Sequence, residues 1–158
     1  MKKTLIIYSS KYGCTADCAM NLKSRLQGDV TVLDVKNSTA NTNYNDYDTV
    51  IIGGSVYVGK MAKPLRAFCE KNLNTLVKKR IGIFLCCALP KDSSKVLGDN
   101  IPSTLLKHAV TTKVFGCEAR LEKMSFIDKT IIKAVTKGDF SSFKVSSERL
   151  DEFAKEIV

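Results

Sequence analysis

The chain has 158 residues, six cysteines, one histidine and a formal net charge of +9. That length suits one domain with a sizeable core, and no apolar run approaches the ~18 residues that would span a bilayer. One histidine and scattered cysteines without a CxxC pair argue against a metal site, and the Cys14–Cys18 and Cys86–Cys87 spacings do not favour an unstrained disulfide, so reduced, buried thiols in a cytoplasmic protein are expected.

Leu5 to Tyr8 form an apolar run, the pattern of a strand buried on both faces of a parallel sheet. Ser9-Ser10-Lys11-Tyr12-Gly13-Cys14-Thr15 follow, leading into a helical pattern from about Thr15 to Leu26 that buries Ala19, Leu22 and Leu26. A turn rich in hydroxyls and glycine between strand and helix gathers N–H groups at the positive end of the helix dipole. That is an anion site, and phosphate fits it best. The same residues also read as a plain capped helix start, with Ser10 or Thr15 as the cap. Neither GxGxxG nor GxxxxGKS/T is present, which argues against a dinucleotide fold and a P-loop.

Gly28-Asp29 ends the first helix, Val30 to Val35 read as a second strand, and Lys36 to Tyr47 are polar and loop-like. Thr49 to Ile52 are a third strand opening into Gly53-Gly54-Ser55-Val56-Tyr57-Val58-Gly59. A helix from about Lys63 to Asn72 has Pro64 in its first turn, where proline is tolerated. Residues 60 to 80 hold Lys60, Lys63, Arg66, Lys71, Lys78, Lys79 and Arg80 against Glu70 alone, so most of the positive charge falls on one helix and its flanks. Such a face is either simply solvated or a docking surface for an acidic partner or an anionic membrane. No aromatics interleave with the basic residues, which argues against nucleic acid.

Ile81 to Cys87 are a fourth strand with Ala88-Leu89-Pro90-Lys91 as its exit loop; Thr104 to Ala109 read as a helix and Thr112 to Cys117 as a fifth strand. Glu118 to Lys144 then delay the last helix. This insertion spaces Ile127, Ile131 and Val135 as an apolar stripe opposite Lys129, Lys133 and Lys137. It is expected to be ordered and to cover the domain or to offer a surface to a quinone or membrane. The final helix begins after Ser146 or Ser147 and buries Leu150, Phe153, Ala154 and Ile157.

Alternating strands and helices predict an α/β three-layer sandwich, a five-stranded parallel sheet with helices on both faces and a late insertion after strand 5, residues 1 to 158 forming one domain. Ligands of such sheets sit at the carboxyl ends of the strands. The candidate cofactor-binding residues are therefore Ser9, Ser10, Lys11, Tyr12, Gly13, Cys14 and Thr15 in the first loop, Ser55, Val56, Tyr57, Val58 and Gly59 in the second, and Cys87, Ala88 and Leu89 in the third. The first takes an anion, the second offers close backbone approach and an aromatic face, and the third has small, apolar residues. A phosphorylated, planar, partly apolar ligand fits all three, and FMN has these properties.

The stretches Tyr8 to Thr15, Val50 to Gly59 and Phe126 to Lys133 before Gly138-Asp139 resemble the flavodoxin-like family, nearest to its menaquinone-dependent protoporphyrinogen IX dehydrogenase branch. The resemblance implies non-covalent FMN, with Ser10, Tyr12, Cys14 and Thr15 at the phosphate-binding positions. Tyr12 and Cys14 stand where Thr and Asn are common, so the backbone N–H groups of residues 11 to 15 and the hydroxyls of Ser10 and Thr15 carry more of the phosphate. It also implies an oxidoreductase acting on protoporphyrinogen IX or another small organic substrate, with quinone as acceptor, in the cytoplasm or at the inner face of the cell membrane. The flavin carries the chemistry, so no side chain is assigned as catalytic. Two other readings stand beside it: an FMN electron carrier that docks to redox proteins, and a binding module that has kept the fold without the flavin.

Overall fold

Strands that are apolar on both faces have one common way to be buried, a parallel sheet between two helical layers. The computed structural model describes residues 1–38, 42–87, 92–140 and 143–158. Their elements run β1 (Lys3–Ser9), α1 (Cys14–Arg25), β2 (Asp29–Asp34), β3 (Thr49–Tyr57), β4 (Lys60–Met61), α2 (Lys63–Lys71) and α3 (Leu73–Leu76). They continue with β5 (Arg80–Cys87), α4 (Ser93–Asn100), α5 (Ser103–His108), β6 (Thr111–Val114), α6 (Phe126–Thr136) and α7 (Ser147–Ile157). The sheet order is β2-β1-β3-β5-β6, all parallel, and the two-residue β4 pairs back antiparallel onto β3.

The period of two along each strand divides the core between the two faces. Leu5, Ile7, Val50, Ile52, Ile83 and Leu85 meet Leu65 and Phe68 of α2, Leu97 of α4 and Leu105 of α5. Ile6, Ile51, Phe84 and Cys86 meet Cys18 and Leu22 of α1 and Leu150, Phe153 and Ile157 of α7. On this second face the Phe84 and Phe115 rings stack with centroids 4.9 Å apart, and Phe153 meets both edge-on. Gly53 makes room for them: a Cβ there would lie 2.2 Å from the Phe84 ring.

Several boundaries differ from the sequence expectation. β3 runs on through Gly53-Gly54 to Tyr57, because β5 pairs with it residue for residue as far as Val56↔Cys87. β6 stops at Val114, yet the Phe115 N–H still donates to the Leu85 carbonyl at 2.9 Å. α4 was not expected; Asp92 caps it by accepting the Lys95 N–H at 3.1 Å. The final helix buries the four residues expected of it.

Candidate functional site

β1 ends at Ser9, where the chain turns over the sheet edge into α1. The Ser10 hydroxyl accepts the Gly13 N–H at 3.0 Å, and Gly13 takes the left-handed φ of 93° at the N-cap, with no side-chain cap on the helix. Neither Ser10 nor Thr15 is thus a plain cap. The first N–H groups of an α-helix have no partner within it, and here they open toward the turn. Thr15 is completely buried, and its Oγ1 has no hydrogen-bond partner among the described residues. A buried hydroxyl left unsatisfied costs about 1–3 kcal/mol. An acceptor or anion at the helix start answers both needs.

A cavity of about 40 Å³ lies against this turn. Ser10, Lys11, Tyr12, Cys14, Thr15, Ser55, Val56 and Tyr57 line it, all of them candidates from the sequence. Of the others in the first two loops, Ser9 is buried in β1 beside Gly54, and Gly13 shapes the turn. Val58 and Gly59 form the tip of the β3–β4 hairpin, with φ of 50° and 75°, held from behind by buried Asn100, which accepts the Met61 N–H at 2.7 Å and donates to the Gly59 carbonyl at 3.1 Å. In the third loop, Cys87 belongs to the core on the α2 face, whereas its neighbour Cys86 lines the cavity. Ala88 and Leu89 lie outside the described residues.

The late insertion supplies the rest of the wall through Met124, Ile132 and Phe143. Of the two arrangements expected of the stripe, cover for the domain or an open surface, the structure has the open one: Ile127 is 68% and Val135 62% exposed. The helix turns Asp128 and Ile132 inward because the carboxylate has partners there. Asp128 accepts from Lys11 Nζ at 2.8 Å and from the Tyr12 hydroxyl, and its carbonyl accepts from the Tyr57 hydroxyl at 3.1 Å. Lys11 Nζ also lies 4.1 Å from the centroid of the Tyr57 ring, a cation–π distance. Both sequence loops are thereby tied to α6 through one residue. No compositional signal marked Asp128; an acidic residue inside a lysine-rich helix was the available hint.

Hydrogen bonds from Lys11 and then Tyr12 hold the Asp128 carboxyl below its ordinary value of 3.8. Burial, followed by the nearby Asp128 charge, pushes the Tyr57 phenol up to about 12. A carboxyl with a lowered folded value contributes stability above its unfolded value and loses it as pH falls through the folded one. Protonation of Asp128 therefore does not weaken the tie at neutral or mildly acid pH and does so only as pH falls through the lowered carboxyl value. Asp128→Asn should loosen α6 at neutral pH, read as faster amide exchange in residues 121–137; unchanged exchange would show that packing of Ile132 alone holds the helix.

Arg120 adds charge to the turn's other side, with Nη1 3.4 Å from the Tyr12 carbonyl and Nη2 paired with Asp17 and Glu118. Beneath the turn, Cys14 accepts the Glu118 N–H at 3.5 Å. The Cys14 thiol is drawn well below its ordinary value, first by a hydrogen bond from Cys117 and then by those from Cys18 and Cys86, while Cys18 is pushed up to about 12, chiefly by Cys14.

A family model described as a flavodoxin domain matches residues 5–144. Among curated proteins, none matches in sequence. Among solved structures, oxidised flavodoxin 1 from Bacillus cereus shares 14% identity at a TM-score of 0.61, the alignment covering 99% of this chain and 97% of that one. A Fusobacterium nucleatum flavodoxin bound to flavin mononucleotide shares 19% at 0.54, covering 99% and 97%. The rubredoxin oxygen:oxidoreductase of Desulfovibrio gigas shares 17% at 0.56 over 99% of this chain, which spans 35% of that larger protein. At these identities the likeness is one of fold. No helix among the described residues is long and apolar enough to cross a membrane.

Proposed function

Because the chain belongs to the flavodoxin domain family, we propose that residues 1 to 158 act as one FMN-binding domain whose phosphate site is the turn from Ser10 to Thr15. The observation that carries this is the buried, partnerless Thr15 hydroxyl at an uncapped helix start. The helix N–H groups and the Thr15 and Ser10 hydroxyls would hold the phosphate, with Lys11 and Arg120 on its rim; Tyr57, Val56 and Ser55 would flank the ring. Bound FMN supplies hydride and one-electron chemistry. The protein's part is to position the cofactor, exclude water and set local charge.

The cavity of about 40 Å³ is far smaller than the ~300 Å³ or more typical of cofactor pockets. Its width is limited by α6, which Asp128 draws down onto Lys11, Tyr12 and Tyr57. Entry of a ring therefore requires that tie to part. The test is titration of the FMN-free protein with FMN and with riboflavin, which lacks the phosphate. FMN should bind at least ~10-fold more tightly, the effect of one or more charge-assisted hydrogen bonds. Equal binding would remove the phosphate assignment.

Within this reading the chain is an oxidoreductase of the electron-transfer type, taking electrons from protoporphyrinogen IX or another small organic substrate and passing them to a quinone. What favours it over a carrier is α6 itself, which walls the cavity with Ile132 and presents exposed Phe126, Ile127 and Val135 among lysines. An apolar face ringed by basic residues suits a quinone at the inner surface of an anionic membrane. The alternative is an FMN carrier docking to a redox protein through the basic residues between Lys60 and Arg80. Anaerobic oxidation of protoporphyrinogen IX with a naphthoquinone acceptor separates them: turnover supports the first, and reduction by a partner reductase without substrate turnover the second.

A further inference from the structure

Cysteines from distant parts of the chain converge beneath the turn. Cys14 and Cys18 sit on α1 and Cys86 on β5, and among the described residues their three sulfur atoms lie within 4.8 Å of one another. The Cys18 and Cys86 sulfurs are 3.7 Å apart. The three residues are 6%, 2% and 1% exposed. Cys117, just past β6, lines the same cavity as Cys14 and Cys86 and donates to the Glu118 carbonyl at 3.3 Å. All four carry thiols rather than disulfides.

Buried cysteines often act as small hydrophobes, and a pair in contact needs no further account. Three converging sulfurs from two separate elements are a different arrangement. A tetrahedral ion with metal–sulfur bonds of about 2.3 Å sets its sulfurs about 3.8 Å apart, close to the Cys18–Cys86 distance. Movements of under about 1 Å bring Cys14 onto the same sphere. We infer that Cys14, Cys18 and Cys86 form a three-thiolate binding site for a thiophilic d10 cation of the Zn2+ type, the fourth position being left to water from the adjoining cavity.

The surroundings fit such an ion. The three cysteines share their core with Phe84 and Phe115, and thiolates select zinc and copper(I) over hard, oxygen-seeking cations. Cys14, Cys86 and Cys117 also line the cavity, which gives a path in from solvent. Each ligating thiol releases its proton to water. Three thiolates on a divalent ion then leave one net negative charge, offset by the Glu118 N–H on the Cys14 sulfur at 3.5 Å and by the positive end of α1. The site lies on the protein side of the turn and does not depend on the flavin reading.

The experiment uses the reduced full chain under argon, both with FMN and freed of it. Co2+ is the probe, because thiolate ligation gives sulfur-to-metal charge-transfer absorption and intense tetrahedral visible bands. The expected result is saturation at one Co2+ per chain in both forms, with displacement by Zn2+. Cys86→Ser should weaken binding more than ~100-fold, beyond the usual effect of losing an outer-sphere partner. Cys69→Ser, in the other core, should leave it unchanged. Should Cys86→Ser fail to fold, Cys18→Ala on α1 carries the same expectation, with folding checked by thermal melting. No charge-transfer band in the wild-type chain, a band that persists in a folded Cys18→Ala or Cys86→Ser variant, or a Cys18–Cys86 disulfide in the protein purified under argon would overturn the inference.

Discussion

Thr15→Val should stabilise the FMN-free protein and weaken FMN binding at the same time. The threonine hydroxyl is buried with no partner, so replacing it with a methyl group removes a desolvated polar atom at nearly constant volume. The gain should be about 1 kcal/mol, a rise of about 2–4 °C in Tm for a chain of this size. With FMN present, the same change should delete the charge-assisted hydrogen bond proposed for Thr15, at a cost of about 1.5–3 kcal/mol, or roughly tenfold to a hundredfold in affinity. Thermal melts with and without FMN measure both. A mere packing residue would lose stability in both states, and that outcome would remove Thr15 from the site.

Phe84→Ala should be the most damaging single change in the core. The ring is fully buried, stacked on Phe115 and met edge-on by Phe153. Its loss should cost about 3–5 kcal/mol, a drop of roughly 6–20 °C in Tm. Gly53→Ala attacks the same contact from the opposite side, because its Cβ would lie 2.2 Å from the Phe84 ring; overpacking there should cost about 1–3 kcal/mol. Combining Gly53→Ala with Phe84→Leu should cost less than the sum of the two, since the smaller side chain vacates the clash. Denaturant melts of the four proteins give the coupling; strict additivity would mean that the sheet relieves the clash by moving its backbone.

Much of the fold was legible because strands buried on both faces leave continuous apolar runs, and because the turn between β1 and α1 has its own chemistry of hydroxyls and glycine. The last helix was equally plain, with its apolar residues at helical spacing. What escaped was set by partners distant in sequence. Nothing local says that Asp128 should face inward; Lys11 and Tyr12, more than a hundred residues earlier, decide it. The stripe at Ile127, Ile131 and Val135 was visible, but the choice between a covered and an open stripe was not, since an amphipathic pattern does not say which face a carboxylate will claim. Of the adjacent pair Cys86 and Cys87, the sequence drew attention to the second. Strand alternation sends the first to the cavity side, and a firm register for β5 would have been needed to see it. The convergence of Cys14, Cys18 and Cys86 likewise follows from topology: a helix after the first strand packs over the fourth parallel strand, and no CxxC spacing announces it.

The placement of α7 has a consequence for how the chain comes into being. Its Phe153 and Ile157 fill the space under Gly82, where a Cβ would lie 2.7 Å from each, and Arg80 at the start of β5 donates to the Ile157 carbonyl at 2.6 Å. The core on the α1 side is thus unfinished until residues 147–157 have been synthesised. A ribosome making about 5–20 residues per second needs several seconds to go from β5 to α7. During that time Phe84 and the part of this face that α7 covers stay open, and parallel pairing between distant strands is itself slow to form. The nascent protein therefore passes through an interval in which its largest aromatic surface is open to other chains, and chaperone occupancy should peak there rather than at the turn between β1 and α1, which is made first.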